Sequence, residues 1–99
     1  MDELLDKLSK YPNGTKLIIE LSEGAKIIGE VDTICESDNG LDMEEEGYEE
    51  YYACIIKVLS ILDNQKQIQN IKIGSLMEIS MQNPPLGIWL EDTTAVWQS

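Results

Sequence analysis

Residues 15–34, TKLIIELSEGAKIIGEVDTI, are the stretch of this 99-residue chain that decides its fold. Apolar residues occupy every second position of 17–21, a pattern typical of a half-buried β-strand. Residues 22–24 (Ser-Glu-Gly) signal a tight turn, and residues 25–34, rich in β-branched side chains, return as a second strand. Gly29 lies in the middle of that second strand and indicates a bend or bulge, as small barrels need at their corners. The stretch therefore predicts a bent β-hairpin.

The residues before this hairpin predict a short helix over residues 2–11. Asp2 is placed to cap the helix, and the acidic residues of its first turn lie where the helix dipole favours negative charge. Three leucines within residues 4–8 form one apolar stripe, which must pack on another element because so short a helix does not persist alone in water. Residues 12–14, Pro-Asn-Gly, then end the helix.

After the hairpin, the apolar pattern predicts further strands. Residues 51–62 are apolar on both faces, which favours a long central strand, with a buried helix as the alternative. Residues 71–81 alternate between apolar and polar and predict the last strand, while residues 41–43 fit a brief one. The chain is thus predicted to be mainly β. A short N-terminal helix is followed by a five-stranded, strongly bent antiparallel small barrel, and residues 1–81 form the single domain.

Residues 82–99 change character. They begin with a Pro-Pro breaker at residues 84–85 and then carry both tryptophans, Trp89 and Trp97, without a clear period. We expect an extended C-terminal tail that packs on the domain or on a partner. For each tryptophan, packing in the core competes with contact to a partner.

The stretch Leu21–Val31 resembles the first motif of Sm-like proteins. In that motif a hydrophobic strand, an acidic-Gly turn and a glycine in a strongly bent second strand follow one another. Residues Ile71–Ile79 look like the second motif of the same family, a strand that holds an Ile-x-Gly-type turn. The resemblance covers residues 1–81 in outline. It implies an SH3-like or Sm-like barrel whose subunits oligomerise through their edges.

The same resemblance implies an RNA-binding pocket lined by Asn39, ten positions after Gly29, and by Gly74. Two departures from the family remove groups that would help hold a nucleotide. Cys35 stands where the family has Asp, and Ile73 stands where a basic residue is expected. The resemblance therefore supports the architecture more than the activity.

The charge balance excludes several functions. Seven lysines, no arginine and nineteen carboxylates give a net charge of −12, which repels DNA, RNA and anionic lipid and attracts basic protein surfaces. The chain has no histidine, so neither Ser-His-Asp nor Cys-His catalysis is available, and His-dependent zinc sites are excluded. We expect no enzyme, no metal and no cofactor.

The hydropathy pattern predicts a cytoplasmic protein. No apolar run reaches the roughly 18 residues that a membrane span needs, and the first residues are acidic, whereas a signal peptide begins with positive charge. In a reducing compartment Cys35 and Cys54 are expected to be free and to pack as small hydrophobic residues.

The acidic segment at residues 30–50 is the candidate binding surface. It holds ten carboxylates, no positive charge occurs between Lys26 and Lys57, and six of the nine residues 42–50 are acidic. The segment is either a solvated loop that blunts sheet edges or a docking surface for a basic partner, anchored by nearby aromatic side chains. The docking interpretation assigns partner binding to Asp42, Glu44, Glu45, Glu46, Tyr48, Glu49, Glu50, Trp89 and Trp97.

Taken together, these patterns favour a non-enzymatic acidic protein-binding module. It would belong with inhibitors and immunity-type proteins that dock on a basic protein surface. The alternative is an Sm-like homo-oligomeric subunit or RNA adaptor that uses Asn39 and Gly74. A third hypothesis is a structural subunit of a larger assembly, with residues 82–99 reaching into a neighbour.

Overall fold

The computed structural model describes residues 2–67 and 71–99. Within these residues one helix, α1 (Glu3–Leu8), precedes six strands: β1 (Lys16–Glu20), β2 (Lys26–Asp38), β3 (Glu50–Asp63), β4 (Leu76–Ile79), β5 (Gly87–Leu90) and β6 (Ala95–Gln98). The strands form one antiparallel sheet in the order β4-β3-β2-β1-β5-β6. The predicted class is confirmed, but the described residues form six strands rather than five, and their sheet is not closed.

Helix α1 covers the core face of the sheet. Asp2 caps it as the sequence predicts, because its Oδ1 accepts a hydrogen bond from the Leu5 N–H at 2.8 Å. The side chains of Leu4, Leu5 and Leu8 are fully buried, and the helix packs on β3 and β6. No helix in the described part of the chain is long and apolar enough to cross a membrane.

The hairpin of β1 and β2 forms as predicted, and its two faces differ. Leu17 and Ile19 are fully buried on the core face, whereas Ile18 and Glu20 lie half-buried on the opposite face. β2 runs for 13 residues, farther than predicted, and pairs with β3. The register of that pairing shifts between Ile28 and Gly29, which confirms the predicted bulge. The sheet therefore bends around the core. The C-terminal end of β2 and the N-terminal end of β3 continue past the last residue that pairs with β1.

The last predicted strand is shorter than expected. Residues 72–75 form a turn, closed by the Ser75 N–H donating to the Lys72 carbonyl oxygen at 3.1 Å. Gly74 has a φ of +86°, in the left-handed region that glycine adopts without strain. Ile73 is consequently 67% exposed rather than on the core face. Residues 41–43, predicted as a brief strand, also lie in turns and bends.

Residues 82–99 contribute two strands to the same sheet. β5 pairs with β1, from Leu17–Leu90 to Glu20–Gly87, and β6 pairs with β5. The segment predicted as an extended tail thus supplies one edge of the sheet. Whether residues 1–81 form a domain by themselves stays a prediction.

Both cysteines are free, and they should differ in reactivity. Burial, followed by charge interactions with Cys35 and Asp32, raises the pKa of the Cys54 thiol to about 11. At pH 8 iodoacetamide should therefore alkylate Cys54 in the native chain about 100-fold more slowly than in the urea-unfolded chain. Peptide mass spectrometry of timed samples measures both rates. Equal rates in the two states would contradict the buried position of Cys54.

Candidate functional site

The C-terminal half of β2 and the N-terminal part of β3 form a two-stranded arm that extends beyond the rest of the sheet. β1 pairs with β2 only as far as Glu30, and β4 pairs with β3 only from Cys54. Between these limits the two strands pair only with each other, ending at Asp38–Glu50, and residues 39–49 connect them. We call residues 32–53 the acidic arm.

The connecting loop of the acidic arm is held by its own polar groups. Asn39 Nδ2 donates to the Gly47 carbonyl at 2.7 Å, and Asn39 Oδ1 accepts from the Leu41 N–H at 3.3 Å. Asp38 Oδ1 accepts from the Gly40 N–H at 2.8 Å. Short polar side chains that bond to backbone groups two residues on fix turns in this way. The loop therefore has a defined shape instead of relying on apolar packing.

The arm carries negative charge alone. It has no lysine, while nine of its residues are carboxylates: Asp32, Glu36, Asp38, Asp42, Glu44, Glu45, Glu46, Glu49 and Glu50. Among the described residues, a side-chain salt bridge forms in helix α1, where Lys7 Nζ lies 3.4 Å from Glu3 Oε1. No carboxylate of the arm takes part in it. Asp38 also lies directly opposite Glu50 across the ladder, where like charges repel. The arm thus presents uncompensated negative charge to solvent.

A shallow groove of about 240 Å³ lies on the arm between Glu36, Asp38, Tyr48 and Glu50. The Tyr48 hydroxyl donates to Glu50 Oε1 at 2.9 Å. This hydrogen bond, together with burial and the charges of Glu50, Asp38 and Glu36, raises the pKa of the Tyr48 phenol. The phenol thus stays a neutral donor among three carboxylates, and the groove is suited to a cationic side chain.

The structure brings together seven of the residues assigned to partner binding from sequence. Asp42, Glu44, Glu45, Glu46, Tyr48, Glu49 and Glu50 all lie on the acidic arm, and every one except the half-buried Tyr48 is exposed. The two predicted tryptophans lie elsewhere, on the β5–β6 hairpin at the other side of the sheet. The acidic arm and the tryptophans therefore do not form one surface.

Trp97 and Trp89 have different environments. Trp97 is 8% exposed and belongs to the core, so little of its side chain is available to a partner. Trp89 lies half-buried on the opposite face of the sheet, beside Ile18 and Leu62 in an open apolar cleft. Its indole ring covers Gly87, where an added Cβ would overlap the ring. Trp97 is thus a packing residue, and Trp89 lines a second surface.

The structure separates the two residues of the predicted RNA pocket. The Asn39 N–H donates a hydrogen bond to the Glu49 carbonyl, and the Gly74 N–H donates one to the Val58 carbonyl. These two acceptors, Glu49 and Val58, are nine residues apart along the chain. At strand spacing this corresponds to about 30 Å. Both polar groups of the Asn39 side chain are also used inside the loop. These positions do not line one nucleotide pocket.

Sequence reasoning misses Glu36, Asp38 and Met43 as members of the surface. Glu36 and Asp38 belong to the acidic segment 30–50, but the sequence does not place them among the docking residues. Strand register sets them across from Tyr52 and Glu50. Met43 is 78% exposed at the end of the arm. Its position inside the acidic run is the available signal, but the run alone does not reveal that Met43 is exposed. No group of three or more Cys, Asp or Glu side chains among the described residues could hold a metal ion.

A comparison with protein-family models assigns the whole chain to one family. The family model described as "Cognate immunity protein YxxD" matches residues 1–99. The chain belongs to this family, which supports an immunity-type, protein-binding role. No curated protein and no solved structure matches the chain.

Proposed function

From its membership of the YxxD family of cognate immunity proteins, we propose that this chain neutralises its cognate toxin by laying the acidic arm on a basic surface of that toxin. The observation that carries the proposal is the arm itself, with nine carboxylates and no lysine on a projecting two-stranded ribbon. A basic surface of this kind is what a toxin acting on nucleic acid would present. Covering it would keep the toxin from its substrate.

Electrostatics gives the arm two advantages as a docking surface. Opposite fields steer a diffusing partner and raise the association rate, by about tenfold or more when the charges are concentrated. A cationic partner would also relieve repulsion inside the arm, which is strongest where Asp38 faces Glu50. Binding would therefore be favoured over leaving the arm in water, and it would weaken as salt screens the charges.

Neutralising the arm tests this function. The triple variant Glu44→Gln, Glu45→Gln, Glu46→Gln should lower the affinity for the toxin by about tenfold and flatten its salt dependence, because steering charge is lost. The toxin is first captured from lysate of the native host on the wild-type chain at low salt, released at high salt and identified by mass spectrometry. Its affinity for each purified variant is then measured between low and high salt.

The matched control removes the same charge away from the arm. Glu23, Glu78 and Glu91 are exposed, so their replacement by Gln also changes the net charge by three. This control should bind the toxin within about twofold of wild type and protect toxin-expressing cells, while the arm variant protects them less. Equal binding and protection by the two triples would exclude the arm as the docking surface.

The Sm-like interpretation stays a second, weaker proposal. A short helix before a bent antiparallel sheet, with a glycine bulge in β2, supports that architecture. The separation of Asn39 from Gly74 weighs against its RNA pocket. Retention of RNA at low salt by the wild-type chain would favour it over the toxin-binding role. A cytoplasmic location and the absence of DNA or RNA partners stay predictions.

A further inference from the structure

A large apolar side chain lies at the end of the acidic arm. The Glu45 N–H donates to the Asp42 carbonyl at 2.9 Å and closes a turn with Met43 and Glu44 at its centre. Met43 is 78% exposed, more than any other large hydrophobic residue in the described part of the chain. It contributes nothing to the core, so its place at the tip is not explained by folding.

The loop holds the backbone around Met43 in a defined shape. Leu41 folds back over Gly47, and Asn39 ties the two sides of the loop together through its hydrogen bonds to Leu41 and Gly47. A loop that is already ordered loses less conformational entropy when it binds than a flexible one does. The backbone that carries Met43 thus loses little entropy when the arm binds, and the remaining cost is the rotamer freedom of the Met43 side chain itself.

The charges around Met43 decide what kind of partner fits. Asp42, Glu44, Glu45 and Glu46 surround it in sequence, and the arm carries no cation. A second copy of the chain would place nine carboxylates against nine, which opposes docking of two arms. A basic surface with an apolar hollow satisfies both components, because its cations meet the carboxylates while the hollow takes the thioether.

We propose that Met43 is the anchor of the acidic arm, inserting into an apolar hollow ringed by lysine or arginine on the toxin. This inference rests on the proposed function. Under this proposal two kinds of residue control different rate constants of binding. The carboxylates set the association rate and its salt dependence, whereas burial of Met43 slows dissociation.

The test compares Met43→Ser with Ile73→Ser. Ile73 is 67% exposed and lies on a turn beside Val58, away from the arm, which makes it a matched control. Association and dissociation rates are measured against two probes: the toxin captured on the wild-type chain, and poly-L-lysine, which offers cations without an apolar hollow. Met43→Ser should speed dissociation of the toxin by about tenfold to 100-fold and leave its association rate within about twofold. Poly-L-lysine binding should be unchanged, as should every rate of Ile73→Ser.

The outcomes separate this inference from the function beneath it. If Met43→Ser dissociates from the toxin like wild type while the Glu44–Glu46 triple still associates slowly, the anchor is overturned and the docking function stands. If neither variant changes any rate, both are overturned. A wild-type dimer that Met43→Ser converts to a monomer would also overturn the anchor, because Met43 would then contact a second copy.

Discussion

Replacing Trp97 with alanine should lower the free energy of unfolding by about 3–5 kcal/mol, the range for truncating a buried large aromatic side chain. Trp97 lies opposite Ile88 in the ladder, on strand β6, which packs on α1. Removing its ring would leave a cavity where the helix meets the sheet. Small domains are stable by only about 5–15 kcal/mol, so this one change would consume a large share. Urea denaturation followed by circular dichroism measures the loss.

Trp89 supplies the control for this prediction. It is only half-buried and lies on the opposite face of the same hairpin, so Trp89→Ala should cost clearly less stability than Trp97→Ala. Trp97→Phe should recover much of the loss, because most of the apolar volume returns. A Trp97→Ala chain with wild-type stability but no affinity for the toxin would return Trp97 to the binding surface.

The course of residues 82–99 shows what the sequence could not reveal. The strands β5 and β6 have four residues each, too few for a period to emerge, and they are separated by the turn around Asp92. Their place in the sheet depends on pairing with β1, far earlier in the chain, and no local signal reports that pairing. The β1–β2 hairpin is local, and its alternation and Gly29 predict it correctly.

The candidate site also has one part that the sequence predicts and another that depends on strand pairing. The acidic run at residues 42–50 is visible in the sequence alone, and the structure places its carboxylates in exposed positions in the loop before β3 and at the start of β3. The contribution of Glu36 depends on the register of β2 against β3, which sets it opposite Tyr52. The Sm-like resemblance assigns Asn39 to RNA, whereas its side chain bonds within the loop. Sequence thus indicates the charge of the surface, and tertiary pairing determines its members.

Replacing Gly29 with alanine should destabilise the chain by about 1–3 kcal/mol, the cost of overpacking a filled core. A Cβ at this position would overlap Ile56 Cγ2 and would lie 3.4 Å from Ile19 Cδ1. Both isoleucines are fully buried, so neither side chain has free space to move into. At an open strand position the same substitution would instead stabilise by about 0.5–1 kcal/mol, because alanine loses less backbone entropy than glycine. The sign of the change in the urea midpoint therefore reports whether Gly29 packs as closely against the Ile56 side chain as the structure shows.

A double-mutant cycle with Ile56→Ala identifies the cause. Ile56→Ala alone should cost about 2–5 kcal/mol, since it empties a buried site. In the double variant the methyl group that Gly29→Ala adds occupies part of the space that Ile56 vacates, so the combined loss should be smaller than the sum by about 1–2 kcal/mol. Strict additivity would mean that the Gly29→Ala penalty comes from backbone conformation at the bulge and not from contact with Ile56. A Gly29→Ala chain that remains folded at low temperature should still bind the toxin, because the docking residues of the acidic arm are unchanged. The arm continues from β2 beyond Gly29, so loss of affinity in that chain would show that the bend at Gly29 also sets the direction of the arm.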